Sequence, residues 1–260
     1  MYRKLVIAGF CLIMVLASFD RVEKKSYKVK TIVIDAGHGG KDPGCLKNKA
    51  FEKDIALDIA LKVGEMIKEN LPDVKVIYTR KDDRFIELHD RAGIANKNHA
   101  DLFISIHVNS GPDVMQGTET YCMGLHKTEQ NLEIAQRENS SILMEKDYST
   151  KYNGFDPNSP QSYILFSLYQ NAFLNNSMNL AEKIETEFKT TANRPSRGVK
   201  QAGFLVLWKT SMPSVLVETG FITNSDDFKY LNSETGRFDT AWGIYSAVED
   251  YKRELEEQIE

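Results

Sequence analysis

Two histidines and two glutamates stand where short apolar runs give way to small or polar residues. His38 follows TIVIDAG inside a glycine-rich stretch, His107 closes FISIH, Glu218 ends SVLVE, and Glu52 opens an amphipathic segment. Two neutral imidazoles and one carboxylate form the donor set of catalytic zinc sites, in which a fourth position is left for water. Residue type alone leaves cobalt or manganese open as well. A further carboxylate beside such a site, here Glu218, can take a proton from water and hand it to a leaving amine. Each residue also has a plainer account. A histidine at a strand end is commonly a hydrogen-bonded structural residue, and Glu218 can cap the helix that follows it. No HExxH helix is present, so the common metallopeptidase arrangement is absent. The glycines around His38 match neither GxGxxG nor the Walker pattern. His89, His99 and His126 have no comparable setting and read as solvated or structural residues.

These residues need elements to bring them together. TIVIDA is a continuous apolar run broken by glycines, the mark of a strand covered on both faces. A helix is expected from about Phe51 to Asn70, halted by Leu71 and Pro72. At about 100° per residue, Glu52 falls on the same face as Ile55, Ile59, Val63 and Met66, while Asp54, Asp58, Glu65 and Glu69 lie opposite. A carboxylate turned inward needs a cation or hydrogen-bond donors. Alternatively, Glu52 is an N-terminal carboxylate set against the helix dipole.

Further along, VKVIYTR, DLFISIHVNS and GTETYCMG read as strands, with LHDRAGIANKNHA as a helix between the first two. This alternation is the α/β pattern. A charge-rich helical stretch from Glu129 to about Lys146 comes next, then a loop by composition, YSTKYNGFDPNSPQSY. A long helix is expected over Ile164 to Thr190. After it, AGFLVLW and SVLVETGF resume the sheet, and a last amphipathic helix covers Asp239 to Glu256. In open α/β sheets ligands collect beyond the carboxyl ends of strands, which is where His38, His107 and Glu218 fall.

At 260 residues the chain has room for one domain or at most two. Lys+Arg 33 against Asp+Glu 37 gives a net charge of −4, which lacks the basic footprint that nucleic acid requires. Residues 1–17 place Arg3 and Lys4 before an apolar run from Leu5 to Ala17, the pattern of a secretory signal. The run is shorter than the about 20 residues of a bilayer span. Cleavage after Ala17 removes two cations, taking the charge from −4 to −6, and leaves residues 18–30 as a polar linker with no membrane span after it. Cys11 lies inside the run, but the bulky Phe10 before it is a poor fit to a lipidation site. Cys45 and Cys122 remain, either paired in an oxidising compartment or present as two unrelated thiols.

Taken in order, IVIDAGHGGKDPG, the glutamate of FEKD, the histidine of ISIHVN and the glutamate of VLVETGFITN resemble the zinc-dependent N-acetylmuramoyl-L-alanine amidases of the bacterial cell wall, amidase type 3. The resemblance runs from about Thr31 to Tyr251. It implies a single α/β domain over residues 31–258, with a mixed, roughly six-stranded twisted sheet flanked by helices. It also implies Zn2+ held by His38, Glu52 and His107, with Glu218 as acid/base. The implied reaction is hydrolysis of the amide between N-acetylmuramic acid and L-alanine in peptidoglycan, in the periplasm or cell envelope, for wall remodelling or daughter-cell separation. Arg91 matches a recurrent arginine of the family, and a helix-surface ion pair is its expected role. The segment 129–171 departs from the shortest members. It is similar in position to a helical insertion that covers the zinc of Gram-negative division amidases until a protein activator displaces it. On that likeness Glu138 or Glu145 fills the open metal position. A plain surface excursion is the alternative reading.

Overall fold

The computed structural model describes residues 28–167 and 172–257. The expected signal segment 1–17, Cys11 and most of the 18–30 linker lie outside the described residues, as do residues 168–171 of the expected insertion and residue 258. Strand β1 (Thr31–Ala36) leads through a small hairpin, β2 (Leu46–Lys47) and β3 (Ala50–Phe51), into helix α1 (Glu52–Asn70). Strand β4 (Lys75–Tyr78), helix α2 (Leu88–Lys97), strand β5 (Leu102–Asn109) and strand β6 (Thr118–Met123) follow. Then come helix α3 (Glu129–Asn139), a 3-10 stretch (Ser140–Met144), and helices α4 (Pro160–Ser167) and α5 (Leu174–Thr190). Strands β7 (Ser196–Ala202) and β8 (Ser214–Phe221) and helices α6 (Ser225–Leu231) and α7 (Glu234–Glu257) complete the described chain.

The main sheet has six strands in the order β4-β1-β5-β8-β6-β7. The strands from β4 to β8 run parallel, β6 is antiparallel to β8, and β7 is parallel to β6, so the sheet is mixed. β5 and β8 are buried along their whole length, as expected of uninterrupted apolar runs covered on both faces. One face packs α1, α5 and α7 through Ile59, Val63, Leu180, Ile184 and Val248. The other face gathers Phe103, Tyr121, Ile134, Tyr163 and Leu207, which includes side chains from the 129–167 segment. No helix among the described residues is long and apolar enough to cross a membrane.

Three expectations are corrected. The single helix over Ile164–Thr190 is two helices, α4 and α5. Tyr163 of α4 packs on one face of the sheet, whereas Leu180, Ile184 and Phe188 of α5 pack on the other, and no single rod serves both. Pro160, with φ fixed by its ring, starts α4 inside the stretch that reads as loop by composition. The run AGFLVLW is not a strand: β7 precedes it as the polar edge strand SRGVKQA, and Leu205–Trp208 form one helical turn. Continuous burial of Phe204 to Leu207 suits a buried turn as well as a strand, and Asn139 Oδ1 accepts from the Leu205 amide at 2.8 Å to hold it.

Candidate metal centre

Because β1, β5 and β8 are adjacent and parallel, their carboxyl ends fall side by side. His38 lies two residues past β1, His107 stands near the end of β5, and Glu218 faces His107 across the β5–β8 pairing. The β2–β3 hairpin then delivers Glu52 as the first residue of α1. Its side chain is fully buried, as the inward position on the helix predicts. Glu52 Oε1 lies 3.1 Å from His38 Nε2 and 3.1 Å from His107 Nδ1. A fourth residue, Glu138 of α3, places Oε2 3.1 Å from His38 Nε2 and 3.0 Å from His107 Nδ1. One ligand atom from each of these four buried residues lies within 4.8 Å of every other, a cluster that can hold a metal ion.

The packing around the cluster leaves no room for larger residues. A Cβ on Gly37 would lie 2.5 Å from the His107 ring, and one on Gly44 would lie 2.7 Å from both Glu52 Oε2 and His38 Cδ2. Orientation is fixed from behind. His38 Nδ1 sits 2.8 Å from Asp42 Oδ2, which directs Nε2 inward. Glu52 accepts from the Val108 amide at 2.9 Å and from the Cys45 amide at 2.8 Å.

His38 Nε2 and Glu138 Oε2, both buried, have no hydrogen-bond partner among the described residues although they face each other. Orphaned buried polar atoms of this kind call for an explanation, and a cation at their common focus supplies one. The electrostatics agree. Burial alone would lower the His107 pKa, yet Glu138 and Glu52 push it up to about 9. Burial likewise opposes charge on His38, but Glu52, Asp42 and Glu138 raise its pKa well above the usual value. The carboxylates thus draw positive charge into the cluster, and a divalent ion with nitrogen and oxygen ligands meets that demand.

Glu218 is fully buried, and neither of its carboxylate oxygens has a hydrogen-bond partner among the described residues. Burial, reinforced by the charge of Glu138, raises its pKa well above the ordinary carboxyl value. Arg137 of α3 holds one guanidinium nitrogen 3.7 Å from Glu218 Oε1. It also donates to Ser110 O and Asn109 Oδ1, each at 2.9 Å, and to Glu138 Oε1 at 2.9 Å. Of the two glutamates named from the insertion, only Glu138 reaches the cluster. Glu145 instead accepts from the Leu88 amide at 2.8 Å and from the Tyr152 hydroxyl, because the chain leaves the 3-10 stretch there and turns toward the start of α2.

Arg91 is not on a helix surface. It is buried, paired with buried Asp35 at 2.9 Å, and it donates to Ala36 O and His38 O. The inward face of α2 meets the end of β1, so the arginine meets backbone carbonyls and a carboxylate instead of water. Asp42 and Arg137 escape a reading by residue type. Their nearest sequence signals are an acid four residues after His38 and a cation immediately before Glu138. Cys45 and Cys122 are not bonded to each other, and among the described residues both are free; Cys45 lies near Ser110 Oγ, and Cys122 is buried in the core on β6.

A family model described as N-acetylmuramoyl-L-alanine amidase matches residues 32–250. The chain is 34% identical over 233 residues to the N-acetylmuramoyl-L-alanine amidase AmiA of Escherichia coli (strain K12), covering 88% of this chain and 78% of that protein. An N-acetylmuramoyl-L-alanine amidase from Clostridium difficile 630 superposes with a TM-score of 0.64 at 26% identity, over 86% of this chain and 97% of that one. The CwlD amidase from Clostridioides difficile, solved in complex with the GerS lipoprotein, gives a TM-score of 0.62 at 28% identity, over 85% and 98%. The match therefore spans the strands, α1 and the segment carrying Glu138 together, and the chain belongs to the N-acetylmuramoyl-L-alanine amidase family.

Proposed function

We propose that this protein is an exported, zinc-dependent amidase that cleaves the bond between N-acetylmuramic acid and L-alanine in peptidoglycan, in wall remodelling or daughter-cell separation. The observation that carries the reading is the buried cluster of His38, Glu52, His107 and Glu138, with Glu218 beside it. Export rests on the basic and apolar residues at the start of the sequence. His38, Glu52 and His107 are the resident ligands. A zinc ion held by them supplies Lewis-acid polarisation of the scissile carbonyl and lowers the pKa of a water toward about 7.

Glu218 takes the proton of the attacking water as the C–O bond forms. It delivers that proton to the alanine nitrogen as the C–N bond breaks, which yields a free muramic carboxylate and a free stem-peptide amine. Burial of Glu218 suits a group that must carry a proton between two steps. Glu138 belongs to a different function: it fills the position that a substrate oxygen needs, and Arg137 covers the base. In this reading segment 129–171 is an autoinhibitory insertion, and a protein partner that draws it away activates the enzyme.

The test is mass spectrometry of purified peptidoglycan digested by the zinc-loaded protein carrying Glu138→Ala, which weakens the hold of the insertion on the site. Free stem peptides beside intact glycan support the reading, and Glu218→Gln should keep its zinc while losing about 100-fold or more in turnover. Peptide fragments or freed acetate would make it another amide hydrolase, and intact substrate with zinc bound would make it a silent wall-binding protein.

A further inference from the structure

We infer that Arg80 is a positioning residue for the metal centre, tying the loop that carries His38 to the helix that carries Glu52. The inference rests on the metal reading above. Strand β4 ends at Tyr78, and the Thr79 amide makes the last ladder bond, to Ile34 O at 3.1 Å. In a parallel pair the next donor on that side would serve Ala36 O. The Arg80 side chain takes that place, its Nε donating to Ala36 O at 3.0 Å. Its Nη2 reaches beyond the strand to Gly37 O at 2.7 Å and, on the other side, to Lys53 O at 2.7 Å. Lys53 directly follows Glu52, so one guanidinium bonds the residue before one histidine ligand and the residue after the glutamate ligand.

The loop needs such a tie. His38, Gly39 and Gly40 all have positive φ, at 57°, 123° and 59°, an arrangement that an L residue at position 38 adopts only under constraint. Arg91 covers the rest of the loop from the opposite side, donating to Ala36 O at 2.7 Å and to His38 O at 2.8 Å. The carbonyls of residues 36, 37 and 38 thus all point at arginines. Arg91 has a carboxylate partner in Asp35, whereas every hydrogen bond of Arg80 goes to a backbone carbonyl, those of Ala36, Gly37, Lys53 and Asp82. Its planar fork, with donors in fixed directions, is what reaches two segments at once. A lysine has the charge but not the fork.

The experiment compares the full chain with Arg80→Lys and Arg80→Gln. Zinc affinity is measured by competition with a chromophoric chelator, the visible spectrum of the Co(II)-substituted protein reports ligand geometry, and thermal unfolding is recorded on the metal-free forms. Both variants should bind zinc about 10- to 100-fold more weakly, as outer-shell partners of metal ligands do. Both should also show an altered Co(II) spectrum while the metal-free proteins still unfold cooperatively. Should Arg80→Gln not fold, Arg80→Lys decides alone. Wild-type affinity and spectrum in Arg80→Lys overturn the inference, because charge and bulk would then suffice. Failure of Arg80→Lys to fold also overturns it, in favour of a purely architectural role. A wild-type protein that takes up no zinc overturns the metal reading itself, and this inference with it.

Discussion

Replacing Glu138 by alanine removes one carboxylate from the four-residue cluster and strips Arg137 of one hydrogen-bond partner. On the proposed autoinhibition, the contacts that keep the insertion closed are those of Glu138, the bonds of Arg137 to Ser110 and Asn109, and the bond that Lys41 donates to Met144 O at 2.5 Å. Glu138 is only 5% exposed, so its loss breaks a buried charged contact, for which about 3 kcal/mol is the low end of what such breaks cost. That corresponds to a change of about 150-fold in the ratio of closed to open molecules. If the wild type is closed by about 100 to one, the variant sits near parity and basal hydrolysis rises about 50-fold. The assay is release of soluble stem peptides from purified peptidoglycan at equal zinc content. Arg137→Ala should act in the same direction, and the double variant should gain less than the two single gains combined, because the residues share a bond. Unchanged hydrolysis in Glu138→Ala, with zinc bound as in the wild type, would refute the autoinhibitory role of the insertion.

Two other perturbations reach the site through its supports. Gly37→Ala puts a methyl 2.5 Å from the His107 ring; the ring must move, and metal content measured on the purified variant should fall well below one ion per chain. Burial opposes ionisation of Asp35, but Arg91, Ser105 and Thr79 outweigh it and lower its pKa. Its contribution to stability is therefore fully present above about pH 4 and is lost as pH falls through the lowered value. Asp35→Asn should thus destabilise the protein at about pH 7 by urea unfolding, with the gap to wild type closing as pH falls below the ordinary aspartate value of about 4 and through the lowered one.

How far the sequence reveals this molecule depends on whether a signal is local. The apolar runs at β1, β5 and β8 mark buried strands, and their ends mark where His38, His107 and Glu218 gather. The periodicity of α1 turns Glu52 inward before any partner is known. What stays hidden is long-range. Arg91 sits on a short helix between Asp90 and Ala92, and nothing nearby in sequence announces that its partner is Asp35, on a different element. The boundary between α4 and α5 reflects the two faces of a sheet that the chain has yet to complete when it is read in order. Glu138 and Glu145 look alike within one charge-rich stretch. Only the turn out of the 3-10 segment sends one to the cluster and the other to the Leu88 amide.

The adjacency of Arg137 and Glu138 has a physical logic that neither residue has alone. A divalent ion held there and balanced by Glu52 would leave a net positive focus, and Glu218 next to it is a buried acid with no hydrogen-bond partner among the described residues. A neutral plug would leave both uncompensated, which buried groups tolerate poorly. The insertion instead presents an anion to the metal cluster and, one residue earlier, a cation to Glu218. Neighbouring residues on a helix point about 100° apart, which lets a single turn address two targets on adjacent strands. Withdrawing the helix would leave the net charge of the site unchanged, because the two charges cancel, but it would break both charged contacts, and a partner that opens it must offset their loss. On the proposed function a substrate amide would take over the same two positions, its carbonyl oxygen in the place of the Glu138 carboxylate and its nitrogen near Glu218, which Arg137 now covers.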